Sequence, residues 1–344
     1  MAAKIVQLAP GLPPGSRLPE IDRLKGFALI LVVINHASGA LGMTDWVHGE
    51  VGVDIFLILS GFTLALNSGA LSARQFFLRR FLRIYPAYWI ALAVFLYCNA
   101  RTFADHRPAA DIWLHVIGLH GFARTQFFSS INDSFWFISI IVLLYVVVFF
   151  LRRQMHDLAL VAGTGAFLTA AICGFYLWTG NLGALLHLGV RLPDLFIGLI
   201  AGQLASGRKT ELKLGPLLAA GLLALGYLTV YIGVNYGDCV GGLAWIALFL
   251  CADRLLLKSA LAAPFVRGFG FLGLYSYEIY LLHQPLIRDY NRRALADWWQ
   301  VLQPSRAELA VSIAAALVLV VFLSVWLHRT TEFILRPLRQ ISAR

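Results

Sequence analysis

Long apolar segments, separated by short polar stretches, run through nearly the whole chain. Ten of them approach the roughly 17–25 residues that a helix needs to cross the hydrocarbon core of a bilayer. They cover residues 24–43, 51–68, 84–100, 134–151, 158–178, 191–206, 214–234, 238–257, 268–287 and 308–328. No fixed-period repeat is present, and the two halves show no matched pair of Gly- or Pro-broken segments like those of many transporters. The pattern predicts an all-α integral membrane protein, a bundle of about ten transmembrane helices.

The composition excludes a soluble protein. Of the 344 residues, 59% are hydrophobic and only 13% are charged, and the mean hydropathy is +0.75. Soluble domains contain about 25% charged residues. Cys98, Cys173, Cys239 and Cys251 lie scattered in apolar segments without C-x-x-C spacing. We therefore expect neither a disulfide framework nor a metal site.

The net charge of +10 comes from basic residues clustered on one side of the predicted bundle. If the N-terminus is cytoplasmic, 20 of the 28 Lys and Arg residues fall in cytoplasmic segments. The positive-inside rule then predicts that both termini are cytoplasmic, and nucleic acid is not needed as a partner. Residues 1–22 are expected to form an irregular cytoplasmic tail, and residues 331–344 a basic one.

Two predicted external loops, residues 101–133 and 288–307, are long enough to cover a site. The first contains aromatic stretches at 112–122 and 125–130. These stretches are interpreted either as a short amphipathic segment in the membrane interface or as ordinary residues of the aromatic belt.

Ionisable residues inside apolar segments are costly and often mark a functional interior. His36 lies eleven residues after Lys25 on the first predicted helix, about 16 Å along the axis. Asp54 lies one turn inside the second segment, at a predicted depth similar to that of His36. A His–Asp pair would suit general-base activation of a hydroxyl. The alternative is that the two residues only form a structural hydrogen bond between helices.

A basic cluster precedes the third segment. Arg79 and Arg83 share a helical face, and Arg80 and Arg83 are three residues apart. Together with Lys25 at the same cytoplasmic mouth, these side chains suit the phosphates of a nucleotide-containing cosubstrate. Ordinary positive-inside anchoring is the alternative for each single arginine.

The ninth segment contains two further ionisable residues, Glu278 and His283, among several tyrosines that include Tyr280. Because Glu278 and His283 are five residues apart, they lie on offset helical faces. A shared site would need a third group or a distorted helix.

Four motifs, in order along the chain, resemble the acyltransferase-3 family of integral membrane O-acyltransferases. They are IDRLKGFALILVVINH at 21–36, GVDIFLILSGF at 52–62, RRFLRIYPAYW at 79–89 and SYEIYLLHQPLI at 276–287. The resemblance covers most of the chain and implies a transmembrane acyltransferase domain over residues 23–330.

The resemblance also implies roles for individual residues. His36 takes the place of the catalytic histidine, Asp54 that of its neighbour, and Arg80 and Arg83 those of the paired arginines that face acyl-CoA. The chain departs from the family pattern in two places. Lys25 replaces the arginine of the first motif, which keeps the charge but loses the bidentate fork. Ile141 replaces a glutamate found in many members.

Glu278 is a candidate to supply the acid that is missing at Ile141 and is counted as catalytic with His36 and Asp54. Trp136, Tyr280 and His283 are candidates for the acceptor site.

The expected activity is transfer of an acyl group, in this family most often acetyl, from acyl-CoA to a hydroxyl of a cell-surface polysaccharide or glycolipid. Acyl-CoA is expected as a cosubstrate, with no permanently bound cofactor, and the location as the bacterial plasma (inner) membrane. The alternative is a proton- or ion-coupled transporter in which His36, Asp54, Glu278 and His283 form a relay. The acceptor, the acyl chain and the oligomeric state stay open.

Overall fold

The computed structural model describes residues 18–43, 51–67, 71–103, 108–122, 131–179, 183–206, 239–301 and 303–342. The elements within these ranges are helices. The first six are α1 (Pro19–Ala40), α2 (Val51–Asn67), α3 (Ala73–Phe103), α4 (Ala109–Val116), α5 (Trp136–Leu151) and α6 (Leu158–Thr179). The next six are α7 (Gly183–Ala205), α8 (Cys239–Leu256), α9 (Ala263–Leu274), α10 (Ser276–Ile287), α11 (Asp289–Trp298) and α12 (Arg306–Ser342). Two 3₁₀ turns, His120–Phe122 and Asp133–Phe135, precede α5.

The apolar pattern correctly predicted an all-helical membrane protein. Three described helices, Ala73–Phe103, Asp133–Leu151 and Arg306–Pro337, are long and apolar enough to cross a bilayer by length and composition. Shorter apolar helices cover Val51–Leu66, Leu158–Ile172 and Ala263–Leu274. The helix predicted over 214–234 lies outside the described residues.

Glycines bring α2 and α7 into direct backbone contact. A Cβ on Gly198 would lie 2.0 Å from the Ile58 carbonyl oxygen, and one on Gly202 would lie 2.4 Å from the Phe62 carbonyl oxygen. These pairings advance in the same direction on both helices, so α2 and α7 run parallel. Small residues at such contacts are the usual means of close helix packing in membranes.

The ninth apolar segment was predicted as one helix over 268–287, and this is wrong. The structure divides it into α9 and α10, which meet at Tyr275. Glycines at 268, 270 and 273 weaken the helix before this point. The Ser276 hydroxyl then donates a hydrogen bond of 2.9 Å to the Gly273 carbonyl at the end of α9.

The third helix begins eleven residues earlier than the apolar pattern predicted, at Ala73 instead of 84. The basic cluster therefore forms part of α3. The Tyr277 hydroxyl donates to the Ile84 carbonyl over 2.9 Å, and Tyr290 bonds to Asn99 further along. These contacts show that α3 runs parallel to α10 and α11. We call the end of the bundle that carries the cluster the basic end.

The segment 108–122 packs against the middle of α3. Tyr85, Tyr88 and Trp89 of α3 donate hydrogen bonds of 2.7–2.8 Å to the backbone carbonyls of residues 115–117. These contacts lie about 21–27 Å along α3 from its end at Phe103. Carbonyls at the C-terminus of a helix have no partner within it, and here the aromatic donors of α3 satisfy those of α4. The stretch 125–130 lies outside the described residues.

We predict that the close approach of α1 and α9 tolerates no side chain. A Cβ on Gly26 would lie 1.9 Å from the Phe269 carbonyl oxygen, whereas one on Gly39 of the same helix would meet nothing within 4 Å. Gly26→Ala should therefore destabilise the protein by about 1–3 kcal/mol through overpacking. Gly39→Ala should leave the stability unchanged or slightly higher. Unfolding of both variants in detergent tests the contact, and equal stabilities would contradict it.

Candidate active site

Two histidines from different helices meet inside the bundle. The rings of His36 on α1 and His283 on α10 have centroids 5.1 Å apart. His283 is fully buried, and its Nδ1 lies 2.8 Å from the Tyr280 carbonyl oxygen. Because a carbonyl only accepts hydrogen bonds, we assign the proton to Nδ1. Nε2 of His283 then carries the lone pair, and it makes no hydrogen bond to any described residue.

Asp54 does not lie at the depth of His36, contrary to the prediction. Gly52, two residues before it, packs against Ala28 and Val32 near the middle of α1. Since α1 and α2 are antiparallel, Asp54 lies about two turns, roughly 11 Å, from His36 along α1. The prediction failed because it started α2 near the end of α1, whereas α2 starts beside its middle.

Asp54 instead faces Arg191 of α7. The Arg191 Nε lies 3.5 Å from Asp54 Oδ1, and both side chains are almost fully buried. The Arg191 guanidinium also lies 5.3 Å from the centre of the Trp136 ring. Arg191 is one of the eight basic residues that the loop count places on the external side, whereas the structure buries it inside the protein. Its signal in the sequence was an arginine beside the apolar run LPDLFIGLIAG.

The 3₁₀ turn Asp133–Phe135 supports α10 next to the histidines. The Tyr280 hydroxyl donates to the Ser134 carbonyl over 2.8 Å, and the Ser134 hydroxyl donates to the Gln284 side chain. The Asn132 amide donates to the Leu281 carbonyl over 2.8 Å. Ser134, Gln284 and Asn132 were missed because neutral polar residues carry no distinctive sequence signal.

A permanent positive charge lies near His36. Arg288, which connects α10 and α11, bonds to Asp289 at 2.8 Å and to Asp133 at 2.7 Å. These hydrogen bonds, first that to Asp289, raise the pKa of Arg288. Its charge is close enough to act on the His36 ring.

Glu278 has a partner, His328, that the sequence pattern did not predict. Its Oε1 lies 2.8 Å from Nδ1 of His328 on α12, and the Tyr275 ring packs edge-on against His328. Glu278 is buried and lies five residues, about 7.5 Å, before His283 on α10. Ile141 is buried in the main hydrophobic core. Glu278 therefore lies between the histidine pair and the basic end.

The basic cluster lies well below the histidine pair. Arg80 is half-buried, while Arg79 and Arg83 are exposed. From Arg80 to the Tyr277 contact, and then along α10 to His283, the helices rise by about 15 Å. Lys25, half-buried and 3.9 Å from Asp22, lies about 16 Å below His36 along α1.

No group of three or more His, Cys, Asp or Glu side chains in the described ranges is arranged to hold a metal ion. What the site does offer is a histidine pair in an apolar interior and arginines at one end of the bundle. A family model described as an acyltransferase domain matches residues 18–329. The chain belongs to the acyltransferase-3 family. This membership favours an enzyme over the transporter alternative.

Three relatives of this acyltransferase illustrate the family. BcsY of Komagataeibacter xylinus, named as a candidate membrane-bound transacylase, is 24% identical over 341 residues, 92% of this chain and 83% of BcsY. The exopolysaccharide production protein ExoZ of Rhizobium meliloti (strain 1021) is 27% identical over 72% of this chain and 80% of ExoZ. The peptidoglycan O-acetyltransferase OatA of Listeria monocytogenes is 33% identical over 85 residues, 22% of this chain and 13% of OatA. No solved structure matches the chain.

We predict that the buried pair of Asp54 and Arg191 behaves as one unit in this acyltransferase. Arg191→Met alone should cost about 3–5 kcal/mol of stability, because it removes the cation that faces a buried carboxylate. Adding Asp54→Leu should recover most of this loss. Unfolding of the single and double variants in detergent gives the coupling energy.

The exposed pair of Arg293 and Asp297, 2.6 Å apart on α11, provides the control for this cycle. Arg293→Met should change the stability by less than about 1 kcal/mol. Simple additivity of the Asp54 and Arg191 effects would contradict the predicted coupling.

Proposed function

We propose that this membrane acyltransferase transfers an acyl group, with acetyl as the expected case, from acyl-CoA to a hydroxyl of a cell-surface polysaccharide or glycolipid. The observation that carries the proposal is the His36–His283 pair, which places an imidazole base inside an apolar bundle. The names of OatA and ExoZ, which refer to O-acetylation of peptidoglycan and to exopolysaccharide production, support a glycan acceptor.

The proposed topology has about ten transmembrane helices with both termini in the cytoplasm of a bacterial cell, and the protein lies in the plasma membrane. The excess of Lys and Arg in one set of loops supports this orientation. Arg191 is buried inside the bundle, which removes one basic residue from the external loops. The excess of Lys and Arg in the cytoplasmic loops is therefore larger than the sequence count gave. The basic end then faces the cytoplasm, where acyl-CoA is made.

The donor fits between the basic end and the histidine pair. In our proposal Lys25, Arg79, Arg80 and Arg83 bind the phosphates of acyl-CoA, and the pantetheine arm extends up the bundle. The separation of about 15–16 Å between these charges and the histidines along the helices suits the length of that arm. The thioester then lies close to His36.

In the proposed reaction His36 removes the proton from the acceptor hydroxyl. The resulting oxygen nucleophile attacks the thioester carbonyl, the C–S bond breaks, and the thiolate of CoA takes up a proton as it leaves. The lone pair on Nε2 of His283 accepts a hydrogen bond from a hydroxyl of the acceptor substrate or from the protonated His36. Tyr280 and Trp136 line the acceptor side next to this pair.

The two acidic residues take different places in this scheme. Asp54 balances the charge of Arg191 and so holds α2 and α7 in position. Glu278, paired with His328, is the buried acid between donor phosphates and histidines and stays our candidate for the acid that Ile141 cannot supply. A covalent acyl-enzyme is not required by this mechanism.

His36→Ala should reduce transfer by about 10²–10⁴-fold, because the general base is lost. Membranes carrying the variant are incubated with labelled acetyl-CoA and cell-surface glycan, and ester label removable by mild base is counted. His156, an exposed histidine in the turn after α5, provides the matched control, and His156→Ala should retain full transfer. Near-normal transfer by His36→Ala, with equal amounts of protein in the membrane, would exclude His36 as the base.

Replacing Arg80 and Arg83 together by Ala should raise the apparent KM for acetyl-CoA at least about tenfold, since two charge-assisted phosphate contacts are lost. The kcat at saturating donor should fall much less, because the reacting groups are untouched. Arg74→Ala, at an exposed arginine in the first turn of α3, is the control. An unchanged KM in the double variant would show that these arginines do not bind the donor and act only as membrane anchors.

A further inference from the structure

A further arginine lies at the basic end, directly after α5. Arg152 is 7% exposed, and its guanidinium lies 3.7 Å from the centre of the Phe149 ring and 6.0 Å from that of Phe76. One of its terminal nitrogens donates a hydrogen bond to the Phe149 carbonyl. Four N–H donors of this group stay available, since a guanidinium has five.

Arg152 and Arg80 share an aromatic platform. The Arg80 guanidinium lies 5.4 Å from the centre of the same Phe76 ring and 5.5 Å from that of Tyr145. Phe76 in turn packs 5.7 Å from Phe149, centroid to centroid. The aromatic rings fix the positions of the two guanidinium groups relative to each other, which prepares them to bind one ligand.

This pair of cations has no counter-charge among the described residues. Neither arginine forms an ion pair there. The charges that act on Arg80 include those of Arg79 and Arg83, and the charge that acts on Arg152 is that of Arg153. The buried Arg80 Nε also makes no hydrogen bond to any part of the chain that the structure describes. Since unpaired buried charge is costly, the arrangement suits a ligand with more than one phosphate.

Arg152 is further from the histidine pair than Arg80. Phe76, which Arg152 contacts, precedes Arg80 by one turn of α3, and Ile84 follows Arg80 by another turn before the contact with Tyr277. In acyl-CoA the diphosphate joins the pantetheine arm directly, whereas the ribose 3′-phosphate lies at the adenosine end. A donor whose thioester reaches His36 therefore presents its 3′-phosphate furthest toward the basic end.

We propose that Arg152 binds the ribose 3′-phosphate of the CoA donor, while Arg80 and Arg83 bind its diphosphate, and that Arg152 makes the enzyme select CoA over 3′-dephospho-CoA. This inference rests on the proposed function, because it takes acyl-CoA as the donor. It adds a residue and a selectivity that the family motifs do not contain.

Competition binding tests the proposal without knowledge of the acceptor. The purified full-length protein in detergent binds radiolabelled acetyl-CoA, and CoA or 3′-dephospho-CoA is added as competitor. We expect CoA to bind the wild type about tenfold or more tightly than 3′-dephospho-CoA. Arg152→Gln keeps a donor for the Phe149 carbonyl but loses the charge. It should weaken CoA binding about tenfold and leave 3′-dephospho-CoA binding unchanged.

Two further variants show whether the charge of Arg152, its position or its planar shape causes the preference for CoA. Arg153→Gln removes the same charge one residue away, at an exposed side chain, and should keep the wild-type preference for CoA. Arg152→Lys keeps the charge but loses the planar fork, and should keep part of the preference. Unchanged binding of 3′-dephospho-CoA, together with the unfolding temperature in detergent, shows that each variant is folded.

The remaining outcomes overturn one claim or the other. If the wild type binds CoA and 3′-dephospho-CoA equally, or if Arg152→Gln weakens both or neither, the role of Arg152 is wrong while the CoA donor stands. The same result is expected if Arg152 only contacts lipid headgroups. If the wild type binds neither competitor nor acetyl-CoA, the proposed donor itself is wrong.

Discussion

A charge inside an apolar bundle must be balanced, and this constraint determines how the central helices are arranged. Asp54 on α2 and Arg191 on α7 approach to 3.5 Å while both are buried, and glycines on α7 allow the two backbones to approach closely. The pair also fixes Trp136 at the start of α5, over whose ring Arg191 lies. The position of Trp136, a candidate residue of the acceptor site, therefore depends on this contact.

Much of the helix content follows directly from the sequence, because an apolar run of sufficient length in a bilayer has few alternatives to a helix. The depth of each helix does not follow from it. Asp54 was predicted level with His36, yet α2 starts beside the middle of α1, where Gly52 fits against Ala28. The depth of one helix relative to another depends on which helix surfaces pack together. The hydropathy of a segment does not describe this packing.

Some residues of the candidate site could likewise be predicted from the sequence, and others could not. His36, His283 and Tyr280 were singled out as polar residues in apolar segments, and the structure brings them together. Arg191 was predicted on the external side because counting basic residues by loop assigns any arginine near the end of an apolar segment to the aqueous side. The packing of segment 108–122 against α3 depends on hydrogen bonds from aromatic side chains of α3, which act between elements and leave no local pattern.

The histidine pair joins parts of the chain that are made at very different times. The contact between Tyr277 and Ile84, which places α10 against α3, spans 193 residues, and that between Arg23 and Asp253 spans 230. His36 leaves the ribosome early, whereas α10 follows only after most of the bundle has been synthesised. Since chains fold from their N-terminus during synthesis, the pair is completed among the last steps of assembly. A chain interrupted before α10 contains His36 but lacks His283.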